Sequence, residues 1–367
     1  MGGILLIYET SSGEKIYRRD DSIIVYFPGP RRVVSTARLN GGYREDLQAV
    51  FNHHIPPGDH KPADLPGGSV EGYLEYLTGR LNLPYRHTAG LLTAARMENA
   101  SIKTADYREL AVTAVVTGGV EVNGGRAGDP ARHYELDGQW TFVGGTINII
   151  LLIDGNLPPH TLVRAIVTAT EAKAAALQEL VAPSRYSHGI ATGSGTDQII
   201  AVSNVQCRHS FTDAGKHSKL GELIGRAVKV AVKEALDKQT GLNPLRQCNF
   251  LVRLERYVIG LDDFWRLAQS DGIGLPRELY LERLRRLATD ERLVALAATL
   301  LHLLDEYEWG LLSGGATLEA GRNFIRAYVP SAAVDEGKGS EPVNYLIKMF
   351  IRAVNEIITK QEKAFLP

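Results

Sequence analysis

The sequence predicts a mixed α/β core over residues 1–243 followed by an all-helical appendage over residues 244–367. Three observations carry this reading. Short β-branched and aromatic runs separated by turn residues alternate with helical patterns up to Asn243-Pro244, the signature of sheets covered by helices. The stripe Leu220, Leu223, Ile224, Ala227, Val228, Ala231, Val232, Ala235 and Leu236 keeps the three-four spacing of one buried helix face. Beyond Pro244 the chain places Leu at helical spacing among Glu and Arg, with no strand pattern. A length of 367 residues, 44% hydrophobic and 23% charged, is ordinary globular composition and enough for two domains.

The elements follow in order. Ile4–Tyr8, Glu14–Arg18 and Ser22–Phe27 read as a meander, and Arg32–Ala37 as a fourth strand that stops at Asn40-Gly41-Gly42. Residues 56–68 are loop, and Ser69 caps a helix over Val70–Leu81. Thr88–Ala95 and Leu110–Thr117 are strands, the second running into Gly118-Gly119 and a loop that reaches Pro130. After Gly144-Gly145 come a strand, Thr146–Ile153, and an Ala-rich helix, Thr161–Val181. Ser187–Thr192 and Gln198–Ser203 are expected to form a hairpin closed by Gly193-Ser194-Gly195-Thr196-Asp197. In the appendage, helices are expected over Phe250–Ala268, Pro276–Ala288, Asp290–Tyr307 and Pro342–Ala364, with an interruption at Gly314-Gly315.

Composition narrows the function classes. A net charge of −1, with Lys and Arg dispersed, gives no electrostatic footprint for nucleic acid or an anionic membrane. No apolar run approaches the ~18 residues of a membrane span. The N-terminus lacks a basic n-region and a cleavage site, and Leu6 stands where a myristoylation signal needs Ser or Thr. Two cysteines, Cys207 and Cys248, make no CxxC pair; a reducing, cytoplasmic setting is the expectation. Of the ten histidines, the nearest approach to a metal cluster is His53-His54 with His60, and no HExxH or HxH occurs. No metal and no catalytic cofactor are expected. No GxSxG elbow is present.

Four constellations could carry chemistry, because each sets small, polar and glycine residues between strongly patterned elements. In Thr192-Gly193-Ser194-Gly195-Thr196-Asp197, the glycines allow a ligand to reach the backbone N–H groups, and the carboxylate is a candidate general base. The alternative is a tight turn whose Asp satisfies its own amides. In Gly215-Lys216-His217-Ser218, His217 near a helix N-terminus is favoured as the neutral imidazole a base needs; Ser218 also reads simply as a cap. Thr168-Ala169-Thr170-Glu171-Ala172-Lys173 lies mid-helix, where a partly buried Glu171–Lys173 arrangement could shift a pKa, or face solvent. Thr117-Gly118-Gly119 through Asn123, with Gly128-Asp129-Pro130 behind it, could offer amides to an oxyanion or serve as a turn.

Taken together, these segments resemble the adenosylcobinamide amidohydrolase family. The runs in question are Ser35-Thr36-Ala37 with Asn40-Gly41-Gly42, Gly145-Thr146-Ile147-Asn148-Ile149, Thr168–Lys173, Ala191–Asp197 and Gly215–Glu222, in that order. The resemblance covers about residues 20–240; Ser194 stands where the family's GTGTD-like run has Thr, and the helical appendage lies outside it. It implies hydrolysis of the amide joining the aminopropanol arm to the corrin ring, with the cobalt corrinoid entering as substrate. Asn40, Gly41, Gly42, Thr117, Gly118 and Asn123 are the binding residues expected from the first half of the chain, and Asn148, Lys173, Thr192–Thr196 and Lys216 those from the second. The catalytic candidates are Asp197, His217, Glu171 and Thr146. Either a carboxylate, with or without His217, activates water, or Thr146 attacks. The second route follows a weaker likeness of Gly145-Thr146, strand, helix and Gly-Ser-Gly turn to the ornithine acetyltransferase and DmpA aminopeptidase folds, in which self-cleavage frees the nucleophile. A corrinoid carrier using the same loops without hydrolysis, and an amidase for another substrate, are the rival functions. Self-association into a homo-oligomer is left open.

Overall fold

In the first unit, β-branched runs become β1 (Leu5–Glu9), β2 (Lys15–Arg19), β3 (Ser22–Tyr26), β4 (Arg31–Ser35), β5 (Gly42–Arg44) and β6 (Ala49–His54). Then come α1 (Val70–Leu81), β7 (Thr88–Thr93), β8 (Ser101–Tyr107), β9 (Leu110–Gly118), β10 (Gly124–Gly125), β11 (Ile147–Ile153), α2 (Pro159–Glu179), β12 (Gly193–Ser194), β13 (Gln198–Asn204) and α3 (Lys219–Thr240). This computed structural model describes residues 3–56, 64–131, 146–330 and 341–363, and its contacts divide the chain into units 1–243 and 244–367. His60 and Gly144-Gly145 lie outside the described residues.

Two sheets stack in the first unit, one in the order β1-β2-β3-β6-β7 and the other in the order β5-β4-β13-β11-β9-β8. Alternation decides the layers. Ile23, Val25, Val50 and Leu91 of the first sheet meet Val33, Val115, Ile150 and Val202 of the second in one apolar layer. On the outer face of the first sheet, Ile24 and Phe51 pack on Leu74, Leu77 and Leu81 of α1. On the outer face of the second, Ile149, Leu151, Val112 and Ala201 pack on Ala165, Ala169 and Ala176 of α2 and on the α3 stripe. The order is helix, sheet, sheet, helices. Small residues along α2 let it lie close to the sheet and to α3.

Several local expectations change. Gln198–Asn204 does not fold back in a hairpin; β13 lies between β4 and β11, parallel to β11 from Asn148↔Gln198 to Ile153↔Ser203. Parallel neighbours need a long crossover, and the 21-residue α2 supplies it. Of the run 187–192 none is strand, Ile190 making an isolated bridge to Pro183; Gly193-Ser194 pairs with Gly124-Gly125. The fourth strand of the expected meander, β4, joins the other sheet.

The second unit is helical: α4 (Phe250–Leu254), α5 (Leu261–Ser270), α6 (Arg277–Leu287), α7 (Glu291–Glu308), α8 (Gly314–Tyr328) and α9 (Pro342–Lys363). The single helix expected over 250–268 breaks at Val258, whose φ of 58° is left-handed. Gly314-Gly315 opens α8 instead of interrupting a pattern, because the Ser313 hydroxyl accepts from the Ala316 N–H at 3.3 Å. Phe250, Phe264 and Phe350 stack edge and face at the centre of its core. Among the described residues, no helix is long and apolar enough to cross a membrane.

Candidate active site

At one end of the stacked sheets, the exits of β4 and β7 face the starts of β11 and β13, and a cleft of about 940 Å³ opens between them. Its walls include Thr36 and Arg38 after β4, Leu92–Ala94 at the end of β7, Thr146 before β11, and Thr170, Glu171, Lys173 and Ala174 on α2. The loop through Gly125, Arg126 and Asp129, with Tyr186 and the turn 192–198, closes the other side.

Asp197 organises this cleft. One carboxylate oxygen accepts the Ile147 N–H at 2.8 Å and the Ser194 hydroxyl at 2.6 Å. The other accepts the Ser194 N–H at 3.0 Å and is ion-paired with the Lys173 ammonium. The pair is nearly enclosed, with side chains 10% and 7% exposed. Burying a lysine is costly unless a carboxylate and further hydrogen bonds compensate, and here the carboxylate holds four donors. Gly193 makes room for it: a Cβ there would stand 2.3 Å from the Asp197 oxygen and 2.6 Å from the Lys173 nitrogen. Gly195 faces open space, so a ligand can approach its backbone.

Thr146 is buried on the cleft wall, and its hydroxyl donates to the Thr196 carbonyl at 2.5 Å. Its own carbonyl accepts the Gly119 N–H at 3.1 Å. The hydroxyl is thereby fixed beside the start of the strand whose first amide Asp197 holds.

The second wall is tied by Asp129. Burial alone would raise its carboxyl pKa, but hydrogen bonds from Ser184 and Ser187, together with the Arg126 N–H and charge, hold it below the usual carboxylate range. Thr192 accepts the Ala127 N–H at 3.0 Å and its own N–H donates to the Gly125 carbonyl at 2.9 Å, so the glycine turn and the 124–131 loop form one surface.

The structure thus brings together Asp197, Thr146, Glu171, Lys173, Asn123 and Thr192–Thr196. It does not bring His217 to this cleft. The imidazole is exposed ahead of α3, where the Ser218 hydroxyl caps the Gly221 N–H at 3.1 Å. Lys216 reaches the rim only through Glu171, at 2.9 Å between half-exposed side chains. The Glu171–Lys173 arrangement expected along one helix is absent: Lys173 turns inward to Asp197 and Glu171 outward to Lys216. Thr117 and Asn148 are buried behind the cleft, not on its wall, and Gly118 packs beneath Leu236 and Ile147. Asn40 binds the carbonyls of Tyr85 and Thr88 at 2.7 and 2.8 Å with left-handed backbone, and a Cβ on Gly41 would stand 1.9 Å from the Ala37 oxygen. Gly42 likewise has positive φ. These three residues shape the β4–β5 turn outside the cleft lining.

Sequence reasoning did not single out Arg38, Arg126, Tyr186 or the 92–94 segment. Each comes from an unremarkable loop or strand end, and only the tertiary fold assembles them. Among the described residues, no group of three or more His, Cys, Asp or Glu side chains is arranged to hold a metal ion.

Comparison with known proteins accords with this part of the chain. The family model for adenosylcobinamide amidohydrolase matches residues 7–244. An uncharacterized protein of Methanocaldococcus jannaschii is 34% identical over 234 residues, 59% of this chain and 86% of its own length. The adenosylcobinamide amidohydrolase of Methanosarcina mazei is 30% identical over 230 residues, 60% of this chain and 96% of its own. A solved Pyrococcus horikoshii protein aligns with 64% of this chain and 80% of its own at 13% identity, with a TM-score of 0.33. The chain belongs to the adenosylcobinamide amidohydrolase family.

Proposed function

We propose that this protein hydrolyses the amide between the aminopropanol arm and the corrin ring of adenosylcobinamide, releasing adenosylcobyric acid and aminopropanol for cobalamin salvage. The observation that carries this reading is the enclosed Lys173–Asp197 pair in the cleft wall, next to the immobilised Thr146 hydroxyl. A large cleft with one buried cation in its wall suits an extended amide-rich substrate better than a small charged one.

Amide hydrolysis needs a nucleophile, a proton for the leaving amine, and stabilisation of the tetrahedral oxyanion. Both Asp197 oxygens already accept two donors each, which leaves the carboxylate no open face towards a water. Asp197 therefore acts by holding Lys173 and the start of β11. Thr146 carries the attacking oxygen in this reading. Its Oγ1 bonds to the amide carbon, the C–N bond breaks, and the hydroxyl proton passes in net to the departing aminopropanol nitrogen. Water then cleaves the threonyl ester, giving the corrinoid acid and restoring the hydroxyl. Lys173 supplies positive charge for the oxyanion, and the open backbone at Gly195 supplies room for substrate.

Incubation with adenosylcobinamide, followed by chromatography, tests the reaction: a new acidic corrinoid with one equivalent of aminopropanol is expected. Bound but unaltered corrinoid would instead mark a carrier. Thr146→Val should abolish turnover; undiminished turnover would return the role to water activated by Glu171 at the rim.

A further inference from the structure

Behind the cleft, three polar side chains meet in the mainly apolar layer between the two sheets. Asn52 on β6, Thr117 on β9 and Asn148 on β11 are 3%, 1% and 1% exposed. Thr117 and Asn148 are cross-strand partners in the second sheet, and Asn52 reaches them from the first. The Asn52 amide donates to the Thr117 hydroxyl at 2.8 Å, and the Asn148 amide donates to the Asn52 carbonyl oxygen at 2.8 Å and to the Leu92 backbone carbonyl at 2.9 Å. The Asn148 side-chain oxygen is buried without a partner. Such a group costs free energy, and apolar residues of similar shape would be as stable or more so. Stability therefore does not explain the cluster.

Position does. Strand alternation puts Asn148 on the same face as Thr146, one pleat deeper, about 7 Å along the strand. Leu92, its other partner, belongs to the opposite cleft wall. The cluster is thus a bridge from the floor under Thr146 to the β7 wall.

We propose that Asn52, Asn148 and Thr117 form a positioning clasp that sets the spacing between Thr146 and the Leu92–Ala94 wall. Directional hydrogen bonds fix a distance that interchangeable aliphatic contacts leave free to slide, and misplacement of about 1 Å at a reacting group can cost on the order of 100-fold in rate. The kinetic part of this proposal rests on the amidohydrolase reading above; the geometric part does not.

The test is the double variant Asn52→Leu/Asn148→Leu in the full chain, read by steady-state kinetics on adenosylcobinamide, thermal unfolding and amide hydrogen exchange. The expected result is kcat lower by about 10-fold or more, KM little changed, and a melting temperature no lower than wild type. Exchange should quicken at Ile147 and in the 193–197 turn while the rest of β11 stays protected. A folded variant with wild-type kcat and wild-type exchange at Ile147 overturns the clasp, as does exchange quickened evenly through the sheet. If the double variant does not fold, Thr117→Val against Thr117→Ser decides: the serine must recover rate and Ile147 protection that the valine loses, and equal behaviour of the two refutes the proposal. If the wild type makes no product, the hydrolytic reading fails while the exchange result still judges the clasp.

Discussion

Two of the buried ion pairs, one taken from each unit, show why a buried charge alone does not mark a candidate site. Lys173–Asp197 and Arg256–Asp305 are similarly enclosed, with side chains at most 10% exposed in either case. Arg256 grips Asp305 through both terminal nitrogens, with its guanidinium 5.9 Å from the Tyr257 ring, and the pair is packed within a helical core. Lys173–Asp197 instead sits in the wall of an open cleft, and its carboxylate also takes the first amide of β11 and two donors of a glycine turn. The first arrangement is enclosed among helices; the second lines an open cleft. Access and the surplus of donors distinguish them, not burial.

The contrast is broken most sharply by removing one charge from each. Asp197→Asn should lower turnover by about 100-fold or more, the range for losing a group that organises oxyanion stabilisation. Asp305→Asn should cost about 3–5 kcal/mol of stability by stranding Arg256, with turnover per folded molecule unchanged. Denaturant unfolding alongside product assays separates the two.

The next effect in size is acid sensitivity of the first unit, traceable to His53. Burial pushes its imidazole down to about 4, although Asp21 opposes this; its ring nitrogens bond Ser22 at 2.8 Å and Tyr73 at 3.1 Å. The unfolded histidine titrates near 6.5, so between those values the unfolded chain binds more protons. The stability is whole above about pH 6.5 and falls as pH drops towards 4, by about 3 kcal/mol in all. Glu14 acts in the same direction. Burial would raise its pKa, but hydrogen bonds from Ser12 and Thr10 and the Arg31 charge hold it down, so its contribution is also lost on acidification. His53→Gln should flatten the stability profile across that window.

Smaller effects refine the picture of the glycine turn and the start of α3. Gly193→Ala drives a methyl into the Asp197–Lys173 pair and should reduce turnover by about 10-fold, whereas Gly195→Ala, which meets nothing within 4 Å, should leave the melting temperature unmoved. Ser218→Ala removes the α3 cap and should cost about 1 kcal/mol. Lys216→Ala, breaking an exposed pair, should cost less than about 1 kcal/mol.

What was readable in the sequence follows physical range. The α3 stripe, the all-buried run Ile147–Ile153 and the turn Gly193–Asp197 are local patterns, and each became the element expected or the heart of the cleft. The hairpin expected over 187–203 does not form: two β-like runs around a glycine turn give a local signal, whereas the parallel pairing of β13 with β11 depends on a crossover through α2. One helix alone suggests Glu171 as the neighbour of Lys173, or solvent for both; the actual partner of Lys173 lies 24 residues away on another element. His217 is a candidate by its place near a helix start, but nothing local tells which way that start points. Asn52 belongs to none of the four constellations, although a polar residue at an inward strand position between Val50 and His54 is the available hint.

The central claim is that chemistry occurs where Asp197 and Lys173 meet Thr146. Its most direct test compares wild type and Asp197→Asn for conversion of adenosylcobinamide to adenosylcobyric acid, with folding of both verified. Acidic corrinoid from the wild type, and almost none from the folded variant, is the predicted result. Equal product from both would contradict it.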